Sequence, residues 1–228
     1  MSSTLAFVRL QQLISPSLPV GSFTYSQGME WAVEAGWITT SEDVFSWLQA
    51  LLEDAFLGFD LPLLKRLYEA CAVEDEIRFA ELAALTLAGR ETAELRQEEA
   101  QRAKALVMIL NKLPDISNWP LFQPWQPYLK QSQLAGFAMA CVYWQIPLQQ
   151  ALTGFVWSWL ENMVTVAVKL VPLGQSDGQR VLYRLSEAVE ATCNAALKIA
   201  DDEIGASTPA LAIASSQHET QYCRLFRS

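Results

Sequence analysis

The chain has 228 residues, enough for one sizeable domain with a real hydrophobic core. Its 25 acidic and 16 basic residues leave a net charge of −9 with no basic tract, which argues against a nucleic-acid-binding role. Hydrophobic residues make up 51% and charged ones only 18%, so part of the apolar surface is expected to be covered by partner proteins. Cysteines 71, 141, 193 and 223 are scattered without a CxxC pair and read as core residues or free thiols, not as a disulfide framework or zinc site. With His218 as the single histidine, a His-dependent triad has almost no raw material. No N-terminal stretch combines positive charge, an apolar run and a small-residue cleavage site, so the expected location is the cytoplasm.

In chain order, Leu5–Leu13 reads as a short amphipathic helix ending at Ser15-Pro16, because the residue before proline avoids helical angles. A turn-rich loop, Ser17–Tyr25, follows. Thr24 or Ser26 can cap a helix through Met29, Glu30, Trp31 and Val33, which Gly36 closes. Ser41, with acidic Glu42 and Asp43 behind it, starts a helix over Val44–Leu57. Asp60 is expected to cap Leu61–Ala72, with Pro62 in the first turn. Asp75 opens a helix through Leu87. The next begins within Arg90–Glu99, whose charge ladder, with Arg90 and Glu94 at i,i+4, reads as a solvated face before Ala105–Leu113 turns apolar.

Pro114–Pro127 is too rich in proline for regular structure, and its Trp119, Phe122 and Trp125 suggest a packed loop. Tyr128–Trp144 is an apolar helix in which Gly136 and Ala138 permit close helix contact. Pro147 starts the next helix, and Val181–Ile199 is amphipathic, with Leu182, Leu185, Val189 and Leu197 on one side. Thr208 is placed to cap a last helix with Pro209 at its first position. Beyond it, Tyr222, Leu225 and Phe226 are interleaved with Arg224 and Arg227, a composition suited to docking on another surface or to packing on its own domain. No strand alternation or repeat is present. The expected fold is all-α, a single domain of roughly ten helices packed around a central apolar helix.

That central element is Ala151–Gln175, apolar at nearly every position yet carrying Glu161, Asn162 and Lys169. A helix that is apolar all round is enclosed, either by a bilayer or by other helices. Two charges in the hydrocarbon would each cost roughly 2.5–3.5 kcal/mol, and no flanking Lys/Arg cluster orients a span, so the helical bundle is the better reading. Glu161 and Lys169 share a broad side but stand two turns apart, too far for a direct salt bridge. Each therefore needs another partner or faces a groove, a cavity or a subunit boundary. Elsewhere, Val20–Gly28 lacks the Gly-Lys-Ser/Thr ending of a phosphate loop, there is no GxSxG elbow, and Asp201-Asp202-Glu203 reads as a solvated acidic trio. No catalytic, cofactor or metal site emerges, which points to an interaction protein.

Several segments, in order, resemble the urease accessory protein F (UreF) family. Leu18-Pro19-Val20-Gly21-Ser22-Phe23-Thr24-Tyr25-Ser26-Gln27-Gly28-Met29-Glu30-Trp31 resembles the family's LPxGgfsySqGlE signature. Asp60-Leu61-Pro62, Arg90–Arg96, Gln131–Gly136, Lys169–Gln175, Ser207-Thr208-Pro209 and His218–Ser228 follow in the family's order. Ser22, Leu173 and Cys223 depart from the commonest residues, and none of these departures removes a charge.

The resemblance implies a homodimeric, all-helical chaperone without enzymatic activity and without a cofactor. It would bridge UreD (UreH in some systems) and the GTPase UreG on apo-urease and gate nickel delivery. By the same resemblance, Lys169, Glu30 and Gln175 lie on the UreG side. The segment 207–228 docks on UreD or supports the dimer, through Thr208, Pro209, His218, Glu219, Tyr222, Arg224 and Phe226. A nickel route passes Ser26, Glu30 and Gln133. The alternative function is direct regulation of UreG, with Lys169 or Arg224 acting as a finger in the nucleotide site, where such a charge is worth about 10³–10⁵ in rate.

Overall fold

A computed structural model describes residues 2–206 and 208–228. Met1 and Ser207, the first residue of the expected docking segment, lie outside the described residues. The helices are α1 (Ser3–Leu13), α2 (Met29–Glu34), α3 (Ser41–Leu51), α4 (Leu61–Ala72), α5 (Glu76–Ala88) and α6 (Ala93–Leu110). They continue with α7 (Pro114–Ser117), α8 (Phe122–Leu129), α9 (Gln133–Tyr143), α10 (Leu148–Leu170), α11 (Gln175–Ala196) and α12 (Pro209–His218). A π-helical segment, Leu52–Asp60, joins α3 to α4, and no strand occurs among the described residues.

Local chemistry explains most helix starts. Thr40 and Asp43 cap α3 reciprocally: the Asp43 amide donates to Thr40 Oγ1 and the Thr40 amide to Asp43 Oδ2. Asp75, Thr92 and Ser132 each accept an amide from the first turn of α5, α6 and α9. At α2 the capping position is Gly28, although Ser26 Oγ does accept the Glu30 amide at 3.3 Å. Thr208 precedes Pro209 at the start of α12 without a side-chain capping bond.

Several expectations need correction. Tyr128–Trp144 is not one helix, since α8 ends at Leu129 and α9 starts at Gln133. Two more concern prolines. Asp60 does not cap α4, because the helical run is unbroken through the π segment and its carboxylate turns to Arg90 instead. Pro62 has no N–H for the carbonyl four residues back, Gly58, and the Gly205 amide takes that carbonyl at 3.0 Å. The second is Pro114–Pro127, which holds α7 and most of α8. Pro114 and Pro124 fall in first turns, where an amide has no helical partner anyway, and only Pro127 is interior. Phe122, Trp125 and Leu129, at helical spacing, bury against the core and hold α8 in place despite Pro127.

α10 packs against α1, α2, α3, α4, α9 and α11, burying Leu152, Val156, Leu160, Met163 and Ala167. One side of it, with Thr153, Thr165 and Lys169, stays exposed. The helix enclosed all round is α9, buried without a break from Leu134 to Cys141. It lies between α4 and α6, and a Cβ at Gly136 would stand 3.0 Å from Leu106 Cδ2, so glycine sets how closely α6 approaches. Cys71, Cys141 and Cys193 are buried free thiols, while Cys223 is exposed. Among the described residues no helix is long and apolar enough to cross a membrane.

Candidate functional site

The molecule's polar side chains converge where the C-terminal tail folds back beneath α2, α6 and α12. Gly28 makes the approach possible. Its φ of +78° suits glycine, and a Cβ there would stand 2.7 Å from the Ser215 amide nitrogen, so α12 rests directly on this backbone. The tail is then tied down residue by residue. The Leu225 and Phe226 amides donate to the two Glu30 oxygens at 2.6 and 2.9 Å. The Arg227 amide donates to the Thr24 carbonyl at 2.8 Å, and the Ser26 amide and hydroxyl both donate to the Ser228 carbonyl, at 2.6 and 2.5 Å. Arg224 reaches Glu94 Oε1 at 2.7 Å.

α6 supplies a row of buried carboxylates. Glu94 faces His218 and Arg224. Glu98, one turn on, takes Gln27, Arg102 and the Ser228 hydroxyl at 2.9, 2.8 and 3.1 Å. Glu99 accepts from Arg90 and caps α9 through the Gln133 amide at 2.6 Å. Arg90 also binds Asp60 at 2.6 Å. Burial pushes the Asp60 carboxyl above the usual carboxylate range, against the pull of Arg90. Burial also works against the Arg90 charge, but Asp60 and Glu99 outweigh it and raise its pKa. A cavity of about 90 Å³, bounded by Gln27, Asp60, Arg90, Glu98, Glu99 and Gln133, lies among these groups and has room for several waters. Among the described residues, no group of three or more His, Cys, Asp or Glu side chains is arranged to hold a metal ion.

The residues singled out from sequence thus fall into distinct places. Ser26 and Glu30 are buried under the tail, and Gln133 lines the cavity. Lys169 is exposed near the end of α10, with Nζ 5.9 Å from the centre of the Phe226 ring. Glu30 grips the Phe226 backbone, so Glu30 and Lys169 meet through one tail residue but do not share an open surface. Glu161, Lys169 and Gln175 line a common groove between α10 and α11, where burial raises the Glu161 pKa. Thr208, His218 and Phe226 are buried, whereas Pro209, Glu219, Tyr222 and Arg224 are exposed. Glu219 Oε1 accepts the Ala93 and Glu94 amides at the start of α6.

The sequence reading missed Glu94, Glu98, Glu99, Asp60, Arg90 and Arg102 as a buried network, having taken the ladder on α6 for a solvated face. A signal was present. Leu95, Ala103, Leu106 and Leu110 form the buried stripe of α6, and Glu99 occupies the helical position between Leu95 and Ala103.

Comparison with known proteins adds the decisive observation. The UreF family profile matches residues 38–186. A urease accessory protein UreF from Alcanivorax borkumensis is 61% identical over 225 residues, 98% of each chain. That of Pseudomonas putida strain W619 is 49% identical over the whole of both chains. That of Enterobacter sp. strain 638 is 47% identical over 97% of each. The chain belongs to the UreF family. The residues that tie down the tail therefore sit in a UreF fold, and the coarse function that follows from membership is a non-enzymatic accessory role in urease maturation.

Proposed function

We propose that this UreF-family chain works in the cytoplasm as the scaffold that joins UreD (UreH) to the GTPase UreG on apo-urease and gates the passage of nickel. The observation that carries this reading is the form of the C-terminal tail. Its backbone is tied to Glu30, Thr24 and Ser26, while Tyr222 and Leu225 project outward beside Arg224 and Arg227. A rigidly held segment that exposes an aromatic, an aliphatic and two arginines has the composition of an interface hot spot. We assign that face to UreD. The separate groove with Lys169 and Gln175 supports a second docking face, which we assign to UreG.

Nickel, as cargo, would pass Ser26, Glu30 and Gln133. The cavity beside Gln133 supports this route because its carboxylates and amides can replace part of an ion's hydration shell. The GTPase-finger alternative finds less support, since Lys169 lies on a packed helix with its charge against the Phe226 ring.

The test is co-purification. A chain lacking Glu219–Ser228, and separately a full chain carrying Tyr222→Ala and Leu225→Asp, should lose UreD while keeping helical content. Full recovery of UreD with the double variant would overturn the assignment.

A further inference from the structure

His218 is the only histidine in the chain, and it is fully buried. Both of its ring nitrogens face carboxylate oxygens: Nδ1 is 2.7 Å from Glu94 Oε2, and Nε2 is 3.2 Å from Glu30 Oε2. A neutral imidazole has one N–H and one lone pair. Two such contacts need two protons, whereas a neutral imidazole between two carboxylates holds only one. Without the second proton, a ring lone pair would oppose a carboxylate lone pair beyond the reach of water, a costly arrangement. Imidazole is a stronger base than carboxylate, so the second proton rests on the ring.

The same two carboxylates hold the tail. Glu30 takes the Leu225 and Phe226 amides, and Glu94 takes Arg224. The charged groups around His218 are thus Glu30 from α2, Glu94 from α6 and Arg224 from the tail. The neighbouring charges are engaged elsewhere: Glu219 on the first amides of α6, Glu34 on Gln221, and Glu98 on Arg102 and Ser228. Lys169 of α10 lies against the Phe226 ring. With the imidazolium present, the four facing groups sum to zero charge. Loss of its proton leaves one uncompensated negative charge in a buried site, which hydration through an opened tail would relieve.

We propose that Glu30, His218 and Glu94 form a proton-operated clasp: closing residues 219–228 over α2 and α6 takes up one proton, and losing it releases the tail. The sign follows from the proton count. The closed form binds the extra proton, so low pH favours closure. Where the open form has given that proton up, the ratio of open to closed rises about tenfold per pH unit. The clasp does not depend on which partner the tail meets.

Cys223 provides the probe, because it is exposed in the tail while the other three cysteines are buried. A nitroxide on Cys223 of the full chain would be followed by electron paramagnetic resonance from about pH 5 to 8, together with the single imidazole NMR signal. The expected result is an immobile label with a doubly protonated ring at low pH. The mobile fraction should then rise up to tenfold per pH unit, with the midpoint of the imidazole titration. His218→Gln, which cannot ionise, should show no such slope. A flat label signal in the unsubstituted chain, an immobile label beside a neutral ring, or an equal slope in His218→Gln would overturn the proposal. Should His218→Gln fail to fold, coincidence of the two midpoints in the native-histidine chain decides the matter alone.

Discussion

At the scale of single residues, the carboxylates of α6 show where a sequence reading stops. Glu91 and Glu99 look alike in a charge ladder, yet Glu91 is exposed and Glu99 is buried between Arg90 and the first amide of α9. What separates them is that Glu91 precedes α6 whereas Glu99 falls on its buried stripe, which the apolar residues make readable, and the position of Arg90, which also lies outside α6 and is set by tertiary packing. Removing a buried partner strands the other charge, at a cost of about 3–5 kcal/mol. Glu99→Ala should therefore lower unfolding free energy by about 3 kcal/mol in urea titration, whereas Glu91→Ala should change it by less than about 0.5 kcal/mol. Equal, small effects would mean that the ladder is solvated after all. Glu30 is a related case. The family motif marks it, but nothing local shows that its partners are amides from the far end of the chain.

At the scale of elements, the amphipathic helices were readable because their pattern depends on neighbours within a turn. Of the expected caps Asp75 holds, whereas Gly28 stands in place of Thr24 or Ser26, and Asp60 and Thr208 make no capping bond. Asp75, Thr92 and Thr40 act where amides need an acceptor, with Thr40 one residue ahead of the expected start at Ser41. The prolines of α8 misled because their penalty depends on position in a helix whose boundaries had not been placed. Once Phe122, Trp125 and Leu129 are aligned at helical spacing, Pro124 falls in the permitted first turn. Trp125 packs on Phe79 with ring centres 4.7 Å apart and anchors α8 to α5. Trp125→Ala should cost about 3–5 kcal/mol in stability, the range for a large buried aromatic, by the same titration. A loss below about 1 kcal/mol would show that α8 is a loosely attached surface loop. The π segment was not legible at all. Its register accommodates Pro62 and aims Asp60 at Arg90, and both depend on residues distant in the chain.

At the scale of the whole molecule, composition leads one to expect interfaces without saying where they lie. The tail face that we assign to UreD is one candidate. A second candidate is the groove between α1 and α10, about 630 Å³, whose walls include Phe7, Leu10, Ile14, Gly154 and Trp157 and no charged residue. Leu5, Phe7 and Val8 are exposed on α1. This uncharged groove is the surface to test for the homodimer that the family resemblance implies. Phe7→Glu should convert a dimer to a monomer in sedimentation velocity without changing helical content. Persistence of the dimer would move the two-fold axis elsewhere.

The hydrogen bonds joining Ser26 to Ser228 span 202 positions. On a ribosome, Glu30 emerges long before its amide partners Leu225 and Phe226, which lie 195 and 196 positions further on. Until then the Glu30 carboxylate has none of those contacts and stays hydrated, and α12 has nothing to hold its histidine against. Translation must therefore pass Ser228 before this corner can set, so a product terminated ahead of that residue would leave its acidic interior open to water and to proteases.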